Sequence, residues 1–416
     1  MTAVVMPGQP DQPASGQHIR VALIRDFLEE GWPSMDLVGD MLSANLAEHC
    51  NAQVIVAQLC PIFRRPISLL PLPARLARNG DRWINRFVCY PRWLERQRGK
   101  HDVYHIVDHS YSQLVHSLPP GRTVVTCHDV DTFRCLLTPQ LEKRPFWFRR
   151  MTQQILTGLQ KAAHVIAVSS ATLQELLKQG IVPADRITVI SNGVHPSCSP
   201  EPNPRADRTA SDLTGTAPAG APILLSVGST QPRKRLDVLL KVFAAVRVGV
   251  PHARLVRVGG LTAEHQRLAE KLGIQDAMVC VPFVDRDVLA ALYRAATLLV
   301  HTAESEGFGL PVVEAMASGC VVVASDLPVL REVAGNAAFF CPVADLDAWT
   351  ATVTRLIGER AQDDNRWQVY RGRSLENAAR FSWAENARQT ALVYQKVMDL
   401  QEHSRLLSRA RPSQRS

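Results

Sequence analysis

Short apolar runs alternate with amphipathic stretches along most of this 416-residue chain. A short, often β-branched run between turn residues is typical of a buried strand, whereas apolar residues three and four positions apart are typical of a helix. Strands that alternate with helices usually form parallel sheets. The pattern therefore predicts an α/β protein with strands over residues 21–24, 54–57, 103–107, 123–127, 165–168, 187–190, 223–227, 255–258, 278–281, 297–301, 321–324 and 338–341.

The chain length favours two domains, because a single core rarely grows beyond about 300 residues. Five prolines and little apolar periodicity over residues 196–220 are typical of a linker or an extended surface loop. We expect Rossmann-like parallel sheets over 18–195 and 221–380, with a ligand cleft between them at the carboxyl ends of the strands. The remaining segments are expected to be a flexible leader (1–17), a helix (381–400) and a basic, disordered tail (401–416).

A glycine-rich turn before a predicted helix carries the most informative residues. Gly307 and Gly309 let the backbone bend tightly and let a ligand approach, and Pro311 suits the first helical position. The free N–H groups and positive dipole end of that helix favour a phosphate or a hydroxyl-rich group. Glu306 lies on the turn, and Glu314 is placed by the pattern in the first helical turn. Because ionised carboxylates accept hydrogen bonds only, the stretch predicts a site for vicinal hydroxyls of a sugar or ribose.

Three adjacent cations follow the predicted strand over 223–227. Arg233, Lys234 and Arg235 lie where this strand turns into an apolar-periodic helix. Arginine can grip a diphosphate with two hydrogen bonds, and lysine can meet it as a point charge. A run of charges is more often a solvated face, but a strand end in the same half as Glu306 favours a diphosphate site.

A histidine and two acids follow the predicted strand over 123–127. His128 is suited to bind a substrate hydroxyl or to transfer a proton, although a structural role is the better interpretation when it is taken alone. Asp129 and Asp131 have the spacing of an acid pair that binds a divalent metal. Because the same spacing recurs at two other places in the chain, we predict no metal site.

The first predicted strand lacks the G-x-G-x-x-G pattern that follows such a strand in dinucleotide-binding folds. Its absence counts against a nicotinamide or flavin enzyme, and we predict no cofactor. Gly31 and Ser34 can instead form an anion-binding turn before the next helix, with a plain turn as the alternative.

The net charge of +8 is concentrated in one segment. Residues 61–100 contain ten basic and two acidic residues, with several aromatic residues among them. Such a segment suits an anionic membrane surface, a phosphorylated acceptor or nucleic acid, and the alternative is a solvated basic face with its aromatics in the core.

Nine scattered cysteines without a C-x-x-C pair indicate reduced thiols in a cytoplasmic protein. The first 17 residues lack the basic and apolar regions of a signal peptide. No apolar run approaches the roughly 18 residues that span a bilayer, so any membrane contact is expected to be peripheral.

Taken together, these motifs resemble the retaining glycosyltransferases of family four, which have the two-domain GT-B fold. The resemblance runs with gaps from about residue 21 to 400. The sequences that carry it are Ile190-Ser-Asn-Gly-Val194, Val227-Gly-Ser-Thr-Gln-Pro-Arg-Lys234, Val256-Arg-Val-Gly-Gly260, Glu306-Gly-Phe-Gly-Leu-Pro-Val-Val-Glu314, Ser325-Asp326, Arg331-Glu-Val-Ala-Gly335 and Phe381-Ser-Trp383.

The resemblance implies a role for each matching residue. The first domain would bind the acceptor and the second the donor, and the last helix would cross back to the first domain. Many family members carry an arginine where Ser229 stands, so that Arg233 would have to supply this charge. The implied donor contacts are Glu306 and the backbone of Gly307, Phe308, Gly309 and Leu310 with the sugar, Glu314 with the ribose, Lys234 and Arg233 with the diphosphate, Phe283 near the base, Gly31 at the anion-binding turn, and His128 near the sugar from the opposite domain.

The implied activity is transfer of a sugar, with retention, from a nucleoside diphosphate to an acceptor. The acceptor is expected to be a glycan or a lipid-linked sugar of envelope or exopolysaccharide assembly, and neither a metal nor nucleic acid is expected to take part. We expect a cytoplasmic protein with peripheral contact to an anionic inner-membrane face. The alternatives are a nucleotide-sugar binding protein without transfer activity, and a phosphorylase or epimerase on the same fold.

Overall fold

The computed structural model describes residues 18–215 and 220–410, and it contains two six-stranded sheets. The first sheet has the order β2-β1-β3-β4-β5-β6 and the second β12-β11-β10-β7-β8-β9. The strands are β1 (Ile19–Ile24), β2 (Val54–Leu59), β3 (Val103–Ile106), β4 (Thr123–Cys127), β5 (His164–Ala167), β6 (Ile187–Val189), β7 (Ile223–Val227), β8 (Arg254–Val258), β9 (Met278–Val281), β10 (Leu298–His301), β11 (Val321–Ser325) and β12 (Ala338–Cys341). Every strand pairing among these residues is parallel, which confirms the predicted α/β class.

Helices connect the strands and cover the sheets. They are α1 (Pro33–His49), α2 (Ala74–Ile84), α3 (Tyr90–Glu95), α4 (Arg134–Leu137), α5 (Phe146–Lys161), α6 (Ser170–Lys178), α7 (Pro204–Thr214), α8 (Leu236–Gly249), α9 (Ala263–Lys271), α10 (Arg286–Ala295), α11 (Leu310–Ala317), α12 (Pro328–Ala334), α13 (Leu346–Gln362), α14 (Asp364–Ala378) and α15 (Trp383–Ala410). A π-helical turn, Asn85–Cys89, joins α2 to α3. No helix within the described ranges has both the length and the apolar character needed to cross a bilayer.

The order of the strands reverses at one point in each sheet. In the second sheet β7, β8 and β9 run one way and β10, β11 and β12 the other, so that β7 and β10 are neighbours at the reversal. In the first sheet β1 and β3 have this position. Loops that leave the carboxyl ends of such strands diverge and open a crevice between them, which is where α/β proteins bind ligands.

Helix α15 returns to the first sheet, as the sequence predicted. The hydroxyl of Tyr394 lies 2.7 Å from Nδ1 of His105 on β3, and Nε2 of His105 lies 2.8 Å from Oγ1 of Thr126 on β4. The helix also continues beyond the predicted end, and Gln401 Nε2 donates to the carbonyl of Gly121 at 2.6 Å. The expectation of a disordered tail from residue 401 is therefore wrong as far as Ala410, where α15 ends. Residues 411–416 and the predicted leader over 1–17 lie outside the described ranges.

The segment expected to be a linker contains helix α7. Asn203 caps this helix by accepting a hydrogen bond from the N–H of Ala206 at 3.2 Å, and Pro204 stands at its first position. Ala206 and Ala210 are buried in the core of the second half. The sequence pattern missed the helix because small alanines, and not large apolar residues, form its buried face.

Acidification should weaken the protein through His105. Burial lowers the pKa of His105 to about 3, from an ordinary value of 6.5. The unfolded chain therefore binds this proton first, and stability present above pH 6.5 is lost as the pH falls toward 3. We expect a loss of about 1.4 kcal/mol per pH unit in this window. Denaturant unfolding across the window should show a shallower pH slope for folded His105→Gln, and an unchanged slope would contradict the assignment.

Candidate active site

Two loops at the reversal point of the second sheet are joined by backbone contacts. The loop after β7 includes a 3₁₀ turn, Pro232–Lys234, and the loop after β10 leads to Glu306. The N–H of Glu304 donates to the carbonyl of Arg233 at 2.8 Å, and Oγ1 of Thr302 donates to the carbonyl of Lys234 at 3.1 Å. The loops therefore form one unit, and the cations of the first lie against the acid of the second.

The carboxylate of Glu306 lies among three positively charged or titratable groups. Lys234 Nζ donates to Oε2 of Glu306, and NH1 of Arg233 and Nε2 of His301 lie 3.5 and 3.8 Å from the same oxygen. Burial alone would raise the pKa of Glu306, but Lys234, His301 and Arg233 outweigh it and hold this pKa far below its usual range. Glu306 is therefore ionised at neutral pH, as a hydrogen-bond acceptor for a sugar hydroxyl must be.

His301 is a site residue that the sequence reasoning missed. It ends strand β10, is 4% exposed, and has no hydrogen-bond partner at Nε2 among the described residues. Burial lowers the pKa of His301 although Glu306 acts in the opposite direction, so the imidazole is neutral at neutral pH. The available signal was the one used for His128, namely a histidine at the carboxyl end of a buried strand, here five residues before Glu306.

Arg233 connects the two halves of the molecule. Its guanidinium lies 3.7 Å from Asp129 and 3.5 Å from Asp131, both in the first half, and NH1 donates to the carbonyl of Ser305 at 3.1 Å. Oγ of Ser305 also donates to Asp131 at 3.0 Å. The acid pair that resembled a metal-binding motif therefore faces an arginine. No group of three or more metal-ligating side chains occurs in the part of the chain that the structure describes.

A buried arginine on β8 supports the loop that carries Lys234. Arg257 is 1% exposed and donates through NH2 to the carbonyls of Gly228 at 2.6 Å and Ser229 at 2.9 Å. Burial lowers the pKa of Arg257 to about 10, which still leaves it charged at neutral pH. It thus places a positive charge beside Ser229, where many relatives carry an arginine.

Glu314 lies in a second, adjacent set of contacts. Helix α11 begins at Leu310, so that Glu314 is its fifth residue and not in its first turn as the pattern indicated. Its carboxylate is 3% exposed, accepts a hydrogen bond from the Tyr293 hydroxyl at 3.0 Å and lies 3.5 Å from NH1 of Arg286. Burial raises the pKa of Glu314, and Arg286 and Tyr293 offset this only in part.

The glycine-rich turn is packed directly against the first half. A Cβ at Gly307 would lie 1.9 Å from the carbonyl oxygen of His128, so only glycine allows this approach. Oγ of Ser169 donates to the carbonyl of Gly307 at 2.9 Å. Gly309 has φ of 94° and precedes α11. The Phe308 ring is buried against Phe381 at 5.6 Å, so its side chain belongs to the core and only its backbone remains for a ligand.

The ring of His128 is held by the first half. Nε2 lies 2.9 Å from the carbonyl of Val107, and because a carbonyl only accepts, this nitrogen carries the proton. Burial lowers the pKa of His128, against the opposing effect of Asp108. The structure thus brings the backbone of His128 against Gly307, and the ring nitrogen Nε2 is engaged with the backbone of its own half.

The two remaining predicted residues lie outside this cluster. Gly31 has φ of 70° and ends the 3₁₀ turn Leu28–Glu30, with its N–H donating to the carbonyl of Leu28 at 3.0 Å. The nearby carbonyl of Pro33 accepts from Arg286 at 2.9 Å, which links the start of α1 to the neighbour of Glu314. Phe283 is 56% exposed on the loop between β9 and α10.

Two facing Rossmann-like sheets with this cleft define the GT-B class of glycosyltransferase folds. Residues 41–197 match the family model described as Glycosyltransferase Family 4, and residues 209–373 match the model described as Glycosyl transferases group 1. Together the matches cover most of both halves. The chain belongs to glycosyltransferase family four, which confirms the resemblance inferred from its motifs.

Individual proteins and structures agree with this assignment. The O-antigen chain mannosyltransferase B of Escherichia coli is 28% identical over 278 residues, which are 66% of this chain and 70% of that protein. The D-inositol 3-phosphate glycosyltransferase of Thermobispora bispora is 30% identical over 252 residues, or 57% of each chain, so this chain spans little more than half of that relative.

Solved structures share the fold. Sucrose-phosphate synthase from Thermosynechococcus elongatus has a TM-score of 0.69 at 21% identity and covers 92% of this chain and 100% of its own. Anabaena HepE in complex with UDP and glucose has a TM-score of 0.64 at 18% identity, with 91% and 100% covered.

Proposed function

We propose that the protein is a retaining glycosyltransferase that moves a sugar from a nucleoside diphosphate to a glycan or lipid-linked acceptor. The observation that carries the proposal is the Lys234–Glu306 pair beside His301, at the carboxyl ends of β7 and β10. This arrangement offers a cation for a diphosphate and an ionised acid for a sugar hydroxyl within one buried cluster. Relatives named for O-antigen and inositol-phosphate glycosylation support the class of reaction.

Each group has a distinct task in the proposed reaction. Lys234 stabilises the negative charge of the departing diphosphate, and Glu306 accepts hydrogen bonds from the sugar and orients it. The acceptor hydroxyl attacks from the side of the leaving group, which retains the configuration at the anomeric carbon. His301 presents a neutral imidazole toward the same space. Arg233 contributes charge to the site, but its contacts with Asp129 and Asp131 give it the further task of joining the halves.

The proposal does not require a metal ion. Lys234 and Arg233 supply the positive charge that a divalent cation would otherwise bring to a diphosphate. Transfer should therefore continue after chelation with EDTA, whereas a rate that falls on chelation and returns with added Mg²⁺ would contradict this part.

A panel of UDP, GDP and ADP with their sugars tests the proposal. A matching donor raises the unfolding temperature, because a ligand that binds only the folded state stabilises it. NMR of the product then gives its anomeric configuration, and inversion would overturn the proposed mechanism. Donor binding without transfer to acceptors in an extract would favour a binding protein. Phosphate-dependent sugar release would favour a phosphorylase, and interconversion of the free donor an epimerase.

Loss of the Glu314 charge should weaken nucleotide binding. A hydrogen bond to a charged group contributes about 1.5–3 kcal/mol, so we expect Glu314→Gln to raise the Kd for the nucleoside diphosphate roughly ten- to a hundredfold. Calorimetric titration measures this, with Tyr293→Phe as a matched variant that removes one neighbouring donor and keeps the carboxylate. An unchanged Kd for folded Glu314→Gln would exclude the ribose assignment.

We further propose that the acceptor is used at the cytoplasmic face of an anionic membrane, which the protein contacts peripherally. The basic excess of residues 61–100 supports this part of the proposal. Flotation with vesicles of phosphatidylglycerol at low salt should recover the protein, and its absence from the vesicle fraction would rule out membrane contact.

A further inference from the structure

A groove of about 830 Å³ lies on the first half, between α2 with the following π-helical turn and the first turns of α5. Its lining combines large apolar rings with arginines. The members that matter are Trp83, Phe87, Trp147, Arg82, Arg86 and Arg150. Trp83 and Phe87 stack with ring centroids 6.4 Å apart, and thus form a continuous apolar wall.

The apolar residues around this groove are unusually exposed. Phe146 is 80% exposed, Trp147 63% and Trp83 48%, and neighbouring Leu141 is 74% exposed. Large apolar side chains grouped on a surface in this way mark a binding site, whereas single ones need no explanation. The alternative of the sequence stage, in which the aromatics of the basic segment are in the core, holds for Tyr90 but not for Trp83.

The charge around the groove selects an anionic ligand. Ten basic residues against two acidic ones lie within 61–100, and one of those acids, Asp81, is already bonded to the N–H groups of Ile67 and Ser68 at 2.7 and 3.2 Å. Arg150 is exposed, and no carboxylate within 4.0 Å pairs with it among the described residues. An apolar wall beside such arginines fits a hydrocarbon chain that ends in a phosphate.

The groove is connected to the cleft through shared residues. Arg82 and Arg86 lie 3.2 and 3.5 Å from Oε2 of Glu30, which follows β1 at the reversal point of the first sheet. Arg86 also donates to the carbonyl of Ser110, next to His109, and Nε2 of His109 lies 3.6 Å from Asp129. Asp129 in turn faces Arg233 of the donor site.

We infer that this groove holds the hydrocarbon chain of a phosphate-linked lipid acceptor, with the arginines on its phosphate and its sugar directed to the cleft. The inference rests on the proposed function and deepens it, since it assigns the acceptor to the class of lipid phosphates. It differs from general membrane contact because it requires a single lipid molecule to bind in one groove.

Binding of monomeric dodecyl phosphate, followed by tryptophan fluorescence, tests the inference. We expect saturable binding of one molecule per chain, much weaker binding of butyl phosphate and of dodecyl maltoside, and retention of binding in Lys234→Ala. Replacing Phe146 and Trp147 together by serine should weaken binding by at least about tenfold, because their exposed rings provide much of the apolar area. Val248→Ser, which alters an 85% exposed residue elsewhere, is the matched control.

Charge is tested separately with Arg150→Glu, which should weaken dodecyl phosphate binding by about fivefold or more, in contrast to Arg208→Glu at an exposed site in α7. All groove variants should keep their affinity for the nucleoside diphosphate. Binding to phosphatidylglycerol vesicles without binding of the monomer would overturn the inference in favour of a plain membrane surface. Equal affinities of wild type and the Phe146/Trp147 variant would overturn it as well. Failure of the proposed function would show instead as lost donor binding or transfer with the groove intact.

Discussion

Replacing Lys234 by alanine should lower the rate of sugar transfer by about 100- to 1000-fold, the usual effect of removing one preorganised contact to a developing charge. The ammonium group is 13% exposed and pairs with Glu306, so that it is fixed before any ligand arrives. A fixed cation needs no reorganisation when the diphosphate departs. The measurement is turnover under donor saturation, after circular dichroism has shown that the variant is folded.

Lys241→Ala is the matched control for this experiment. Lys241 lies on α8, just beyond the same loop, and its ammonium group is 43% exposed and 3.9 Å from Asp237. Exposed pairs of this kind contribute little, so both activity and stability should be nearly unchanged. Near-normal transfer by folded Lys234→Ala would exclude Lys234 from the diphosphate site, and the proposed mechanism with it.

Gly307→Ala should also abolish most activity, although it adds only one methyl group. The added Cβ would lie 1.9 Å from the carbonyl of His128, and because both sides of this contact are backbone, one of the halves must shift by about 1 Å. A misplacement of this size can reduce a rate about 100-fold, and overpacking typically costs 1–3 kcal/mol of stability. Initial rates and the unfolding temperature together measure both effects.

Gly358→Ala provides the contrast for this substitution. Gly358 lies in α13, and a Cβ there would meet no atom within 4 Å. Alanine should therefore stabilise the helix by roughly 0.5–1 kcal/mol and leave transfer unchanged. If Gly307→Ala were as active as Gly358→Ala, the turn would not need its close approach to the first half.

The sequence predicted the sheets well because parallel strands buried on both faces leave near-continuous apolar runs, as in β4 and β11. It also brought Lys234 and Glu306 into one site, since each follows a strand in the same half and each stands in a recognisable motif. Helix α7 and the last turns of α15 were missed for the opposite reason. Their stability depends on capping and on contacts with distant residues, which no local pattern displays.

Other features of the site depend on tertiary contacts that spacing does not encode. Asp129 and Asp131 looked like a metal motif until Arg233, about a hundred residues further along the chain, was found between them and Glu306. Phe308 lies within the most specific motif, yet its ring packs into the core and only the backbone faces the cleft. Burial also separates the two acids, because it raises the pKa of Glu314 while the cations keep that of Glu306 low.

The chain passes between its halves at two places that lie side by side. The N–H of Val194 donates to the carbonyl of Phe381 at 3.2 Å, and a Cβ at Gly193 would lie 2.3 Å from the backbone nitrogen of Trp383. A rotation about an axis through this pair stretches neither connection, whereas sliding one half along the other strains both. The two crossings thus act as a hinge, and the jaws of the molecule open most at the rim farthest from it.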